Sequence, residues 1–251
     1  SKAVAATNGV FRDNQPPSLA SFALDLDSGV FALQFDEPVT RASLDMTKCT
    51  LAAADNEDSE RVLFTNTHEF LEADDLDAVR VRRLLRLDFD PVTDSQGSEV
   101  LYVKLSQTDL NNLKIAETLA IDIQSTKWLS ELGWVSDSVT ENPSPSVTYE
   151  TARNFSTDVT SPLLTGGTVD LDAAILTLQA DEPVRGASAN ASYFRISSRA
   201  DGSGHTVDVD ADTLLSPDAK DATSLNFRLD CFTLDQLKLW GPHQAFLSHQ
   251  P

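Results

Sequence analysis

LDLDSGVFALQFDEPVTRASLDMTKCTL, residues 24–51, returns later in the chain as VDLDAAILTLQADEPVRGASANASYFRI, residues 169–196. Laid together without a gap at a spacing of 145, the two stretches agree at 11 of 28 positions. Asp25-Leu26-Asp27 matches Asp170-Leu171-Asp172, and Leu33-Gln34 matches Leu178-Gln179. Asp36-Glu37-Pro38-Val39 matches Asp181-Glu182-Pro183-Val184, and Ala42-Ser43 matches Ala187-Ser188. Self-similarity at a fixed spacing marks a repeat architecture and takes precedence over any local motif.

The repeat extends outward from this stretch. Leu105–Ile115 (LSQTDLNNLKI) aligns with Leu229–Leu239 (LDCFTLDQLKL) at a spacing of 124, so the second copy is shorter by 21 residues. The missing residues fall in the charged middle of the first copy, around Glu69–Asp94. Insertions of that size cost little loop entropy, so one fold accommodates both lengths. The opening Ser1–Pro17 aligns with Ser146–Pro162 at the spacing of 145, sharing Ser1/Ser146, Asp13/Asp158 and Pro17/Pro162. The resulting division is a strand-like segment 1–15, a first repeat 16–158 and a second repeat 159–251 that lacks its final strand.

The periodicity within each copy is that of strands. Phe22-Ala-Leu24-Asp-Leu26 alternates, Asp27-Ser28-Gly29 supplies a turn and Val30–Phe35 alternates again, which predicts a hairpin. Pro38 ends this strand, since proline cannot donate to a central ladder. Cys49–Ala52, Arg61–Phe64, Val79–Phe89 and Val100–Leu105 read as further strands. Ser106 opens one short helical turn with Leu110 and Leu113 facing inward. Val207–Asp212 alternates with its carboxylates on one face. Ser136–Ser146, polar and proline-rich, reads as a loop or stiff linker between copies, and Ser144 in Pro143-Ser144-Pro145 is a candidate for O-linked sugar. The fold class is therefore all-β, with antiparallel sandwiches in tandem and one short helical turn per repeat.

Phe35-Asp36-Glu37-Pro38-Val39 with Ser43-Leu44 and Leu51 resembles the "TFSEPV…SSL…ITL" stretch of bacterial-type Ig-like repeats. Asp181–Val184 carries the same phrase in the second copy, with Ala180 in place of the phenylalanine and Ala189 in place of the leucine. The helical step after Leu105 and Leu229 resembles that of such repeats in giant eukaryotic surface proteins. The resemblance implies Ig-like β-sandwiches in large secreted adhesins or in surface and filament proteins of algae and protists. It implies spacer, adhesive or filament-building roles without catalysis, and an extracellular or cell-surface location.

Composition narrows the partners. A net charge of -20 argues against nucleic acid and anionic membrane surfaces, which need a basic face. No apolar run of about 20 residues is present to span a bilayer. No charged-then-apolar leader opens the sequence, so a signal peptide is absent or already removed. Cys49 and Cys231 occupy non-equivalent repeat positions, which reads as two buried thiols rather than a bridge.

The chemistry-bearing residues are few. His68, His205, His243 and His249 lack ligand spacing, and no G-x-S-x-G, Walker or H-E-x-x-H pattern occurs, so no enzyme activity is expected. Asp25, Asp27, Asp36 and Glu37 recur as Asp170, Asp172, Asp181 and Glu182. Hard cations take several converging oxygens, so calcium at these acids is one reading and an exposed sheet face is the other. Asn154-Phe-Ser156, placed in an inter-repeat loop, and Asn190-Ala-Ser192 are N-glycosylation sequons. Trp128, Trp134 and Trp240 fall near strand ends without forming an aromatic platform, which weighs against a carbohydrate- or ligand-binding adhesion module.

A second copy short of one strand exposes core and an open edge. Ser1–Asp13, with Ala3, Val4, Ala5, Ala6, Val10 and Phe11, matches that strand and is a candidate donor. The expected partners are copies of the chain itself or neighbouring repeats of a longer one.

Overall fold

A computed structural model describes residues 14–85, 98–186, 189–199, 201, 204–209, 211–214, 222–240 and 246–249. The chain divides into two compact units, Ser1–Val159 and Thr160–Pro251. In the first, the hairpin read from the sequence is β1 (Leu19–Asp25) against β2 (Val30–Val39), closed by an Asp25 O to Gly29 N–H bond of 2.9 Å. There follow β3 (Cys49–Ala52), β4 (Arg61–Leu63), β5 (His68–Leu71), helix α1 (Leu76–Leu85) and β6 (Ser98–Leu105). Helix α2 (Gln107–Ile115), β7 (Lys127–Ser130), β8 (Val147–Thr151) and β9 (Asn154–Ser156) complete the unit.

Two sheets form, in the orders β5-β6-β2-β1-β9 and β4-β3-β7-β8. Period-two alternation sends Phe22, Leu24, Phe31, Leu33, Leu101 and Val103 to one face of the first sheet. That face packs against Leu51 and Trp128 of the second, so the unit is a β-sandwich. Ser106 caps α2 by accepting from the Asp109 N–H at 3.1 Å, and Leu110 and Leu113 are buried.

The second unit contains β10 (Leu164–Asp170), β11 (Ile175–Val184), β12 (Phe194–Ser197), β13 (Thr206–Asp208) and β14 (Ala211–Leu214). It continues with β15 (Ala222–Leu229), α3 (Cys231–Leu239) and β16 (Phe246–His249). Asp170 pairs with Ile175 as Asp25 pairs with Val30, and both hairpins carry a register shift at equivalent positions. Leu33 and Leu178 are both buried, so register is kept along with strand order. The cores differ. Phe22, Phe31 and Phe64 of unit 1 correspond to Gly167, Leu176 and Val209, which removes three of the rings around Trp128.

Several sequence expectations are corrected. Residues 79–85 of the expected Val79–Phe89 strand belong to helix α1, and 86–89 lie outside the described residues. Ala78 and Val81, three apart, bury against Ala23, Val30, Ala32, Val100 and Tyr102 on the outer face of the first sheet. Unit 2, which shows no counterpart of this helix among its described residues, has Thr168, Ile175, Thr177, Ser224 and Asn226 at those positions. Helix α1 falls within the 21-residue difference, and its apolar face matches the apolar outer face of the first sheet.

The sheets are also not wholly antiparallel, because β9 runs parallel to β1. Val207–Asp212 is not one strand: β13 ends at Asp208, and β14, which begins at Ala211, lies in a different sheet. Ser136–Ser146 is not a linker between units. It folds back within unit 1, with Ser144 buried and its Oγ accepting from the Val135 N–H at 3.2 Å, which leaves no room for a sugar there. Cys49 is buried but Cys231 is exposed, and both are free thiols.

Candidate functional site

The recurring acids close turns. Asp36 Oδ1 accepts the Ser18 N–H at 2.7 Å, and Asp181 Oδ1 accepts the Leu163 N–H at 2.7 Å, one repeat later. Asp170 Oδ1 accepts from the Asp172 and Ala173 N–H groups at 2.9 and 2.8 Å, and Asp25 Oδ1 accepts from the Asp27 N–H at 3.3 Å. The bonds of Asp25 and Asp170 are local ones that the short side chain of Asp makes in turns, whereas those of Asp36 and Asp181 reach 18 residues back across the open end of the hairpin. Glu37 is half-buried and Glu182 is buried.

In unit 1 the acids are further closed by a cation. Arg80 on α1 reaches Asp25 with Nε and Asp27 with Nη1, each at 2.7 Å. Burial pushes the Asp25 carboxyl above the usual range, and the Arg80 guanidinium opposes it. Asp27 lies in the hairpin turn rather than on the strand face with Asp25. Among the described residues no group of three or more His, Cys, Asp or Glu side chains converges to hold a metal ion.

The sequons separate. Asn154 is not in a loop: it belongs to β9, is half-buried, and its side-chain amide donates to Leu84 O at the end of α1. Asn190 is exposed in a turn, with its Oδ1 accepting from the Ser192 Oγ–H at 2.7 Å. His205 is exposed and stacks on Trp240, with centroids 6.2 Å apart. Burial lowers the pKa of His68, which lies edge-on to Phe70. Burial pushes the Cys49 thiol far up, so it stays protonated and inert.

The tryptophans are not scattered. Trp128 and Trp134 have ring centroids 5.5 Å apart and are fully buried among Phe22, Phe31, Phe35 and Phe64. They form a core cluster rather than a platform for sugar. Periodicity could not have found Trp134, because it lies in the irregular segment after β7 and is held by that segment's own turn. In that turn Asp137 accepts from the N–H groups of Val139, Thr140, Glu141 and Asn142 and from the Thr140 hydroxyl. Burial acts to raise the Asp137 pKa, but these donors outweigh it and hold the carboxyl at about 2.

The main asymmetry between the units lies at their edges. In unit 1, β9 covers β1, with Ala23, Leu24 and Asp25 opposite Asn154, Phe155 and Ser156, and β8 covers β7. In unit 2 the corresponding strands, β10 and β16, are terminal strands of their sheets among the described residues. β16 pairs with β12 so that Leu247 faces Ile196, as Trp128 faces Leu51. Leu247 is therefore the counterpart of Trp128. Leu163 is 64% and Leu164 46% exposed. Beside them opens an apolar groove of about 430 Å³ lined by Leu164, Leu178, Ala180, Val184, Phe194 and Leu225, among others. The donor candidates Ala3, Val4, Ala5, Ala6, Val10 and Phe11 lie outside the described residues.

No family model matches the chain. No curated protein matches it either. A solved structure, that of the S-layer protein rSbsC(31-844), aligns with 66% of this chain at 14% identity and a TM-score of 0.27. This chain covers 18% of that structure, and a likeness at that score carries no argument about fold or role. No helix among the described residues is long and apolar enough to cross a membrane.

Proposed function

We propose that the chain is a non-catalytic structural protein of a cell-surface or extracellular filament, stalk or adhesin. Its Ig-like units extend head to tail by β-strand addition. The observation that supports this reading is that β10 and β16 of unit 2 have no outer neighbour among the described residues, where unit 1 has β9 and β8. Unpaired edges template another chain, since each presents a row of unmet N–H and C=O groups. The proposed donor is the Ser1–Asp13 segment of a second copy, which aligns with β8 and β9 of unit 1. A heterologous contact of this kind does not close on itself and grows as a fibre. Asn190, exposed and outside any strand, is the proposed glycan acceptor of such a surface protein.

Deleting Ser1–Phe11 tests the reading by light scattering and electron microscopy. Loss of polymer with unit 1 still folded supports it. Polymers that persist unchanged refute it.

A further inference from the structure

Helix α1 and strand β9 are each weakly seated alone. β9 contributes three residues, Asn154–Ser156, paired parallel to β1, and all three are half-buried. So short a parallel edge is marginal, because a parallel pairing is slightly less stable per residue than an antiparallel one. Of the described side chains of α1, Ala78 and Val81 alone are fully buried, so the helix removes little apolar area from water. It also covers a cost. The Tyr102 hydroxyl beneath it is buried without a hydrogen-bond partner among the described residues.

Much of what holds helix and strand lies between them. The Asn154 side-chain amide donates to Leu84 O in the last turn of α1. Last-turn carbonyls lack a donor within their own helix, so β9 caps α1. Arg80 of α1 holds Asp27 by Nη1 at 2.7 Å, and Asp27 Oδ1 accepts the Val159 N–H at 3.0 Å. One carboxylate thus binds both the helix and the chain that leaves β9. The same guanidinium holds Asp25, which lies opposite Ser156 in the sheet. The tie of α1 to β6, Asp77 with Lys104 at 2.9 Å, is a solvent-accessible ion pair of a kind that contributes little. From β9, Phe155 reaches the core, and just beyond the strand Asp158 is anchored to Lys114 of α2 at 2.9 Å.

We infer that α1 is a lid that locks β9 onto β1, and that helix and strand open as one piece while the two-sheet core stays shut. Opening frees Phe22 O and the Leu26 N–H, which in the closed form bond the Arg153 N–H at 2.8 Å and Ser156 O at 2.9 Å. It also bares Ala23, Val30, Ala32 and Val100 and lets water reach the Tyr102 hydroxyl. The β1 edge is then a place where a strand from outside can pair. The lid therefore decides whether unit 1 is closed or open to strand exchange. Local openings of this kind involve contiguous pieces with few buried apolar contacts. The inference concerns unit 1 alone and does not rest on filament growth through unit 2.

Amide hydrogen exchange in the full chain tests it. Leu26 and Arg153 report on β9, and Val79, whose N–H donates to Asp75 O at 2.8 Å, reports on α1. The β3–β7 ladder reports on the core. The expected result is the same protection at Leu26, Arg153 and Val79, at least about tenfold below that of the ladder. Val81→Ala, a change under the helix, is expected to speed exchange at all three by one common factor of about tenfold. Phe64→Leu removes a ring stacked on Trp128 in the core. It is expected to speed the ladder and leave the three unchanged, because the lid opens without breaking that contact.

Faster exchange at Val79 alone in Val81→Ala overturns the inference, since helix and strand would then open separately. So does equal protection of the three and the ladder with Phe64→Leu speeding all alike, since unit 1 would then open only as a whole.

Discussion

Gly29 and Ala174 occupy the same place in the two hairpins and show what a single methyl group does there. Gly29 has φ +70°, and a Cβ on it would come 2.9 Å from Leu110 Cδ2. Ala174 holds φ 56°, a left-handed conformation that disfavours a side chain. Gly29→Ala is expected to cost unit 1 about 1–2 kcal/mol, and Ala174→Gly to stabilise unit 2 by up to about 1 kcal/mol, both read from urea midpoints. Arg80→Ala leaves the carboxylate of Asp25 buried without its cation. The expected loss is about 2 kcal/mol, reduced from that of a fully buried pair because Arg80 is 43% exposed. The sign with pH follows from the raised pKa of Asp25. The folded state binds that proton more tightly, so stability from this group falls as pH rises from the ordinary value of 3.8 through the raised one. Without Arg80 the fall is steeper. Asp137 runs the opposite way: its pKa is lowered to about 2, so its contribution is complete above the ordinary value of 3.8 and fades as pH falls toward 2. Asp137→Asn is expected to remove about 1–2 kcal/mol at neutral pH and to flatten the acid limb of a pH–stability curve. Repeated acids were legible in the sequence as a pattern, but not their job. Asp36 and Asp181 recur because each clips the start of its hairpin, a role that spacing alone does not separate from cation binding.

The hairpin β1–β2 and its echo β10–β11 were legible at the level of elements because period-two burial and an Asp-rich turn agree with each other. Helix α2 was legible by its cap, Ser106, and α3 by its alignment with α2, and Asp230 caps α3 as Ser106 caps α2, accepting from first-turn N–H groups. Helix α1 was not. Val79, Val81, Leu84 and Leu85 read as strand material, and only the roof position over Ala23, Ala32 and Tyr102 makes the three-residue spacing of Ala78 and Val81 decisive. The parallel strand β9 was equally hidden, since nothing within Asn154–Ser156 records the direction of its neighbour. Trp128→Leu, which installs the unit 2 residue at this register, is expected to cost unit 1 about 3 kcal/mol by leaving a cavity among Phe22, Phe31 and Phe64. Chemical denaturation measures it.

The whole molecule contains two cores of unequal quality. Unit 1 packs four phenylalanine rings around Trp128 and Trp134 and covers its edges with β8 and β9. Unit 2 has fewer rings and two strands without an outer neighbour among the described residues. Scanning calorimetry is expected to resolve two transitions, with unit 2 the lower. Fluorescence of the buried indoles in unit 1 should stay blue-shifted through the first. A single transition reported alike by both probes would contradict separate cores. The parallel pairing of β1 with β9 has a mechanical consequence. These strands lie near opposite ends of unit 1 and run in the same direction, so a pull on the two ends drags them past each other lengthwise. Tension then loads the Ala23, Leu24 and Asp25 pairings with Asn154, Phe155 and Ser156 together, in shear, instead of opening them one at a time like a zipper. Unit 1 is thus the stiff link under load. Unit 2 becomes an equally stiff link only when a strand laid along β10 from outside runs in that same direction.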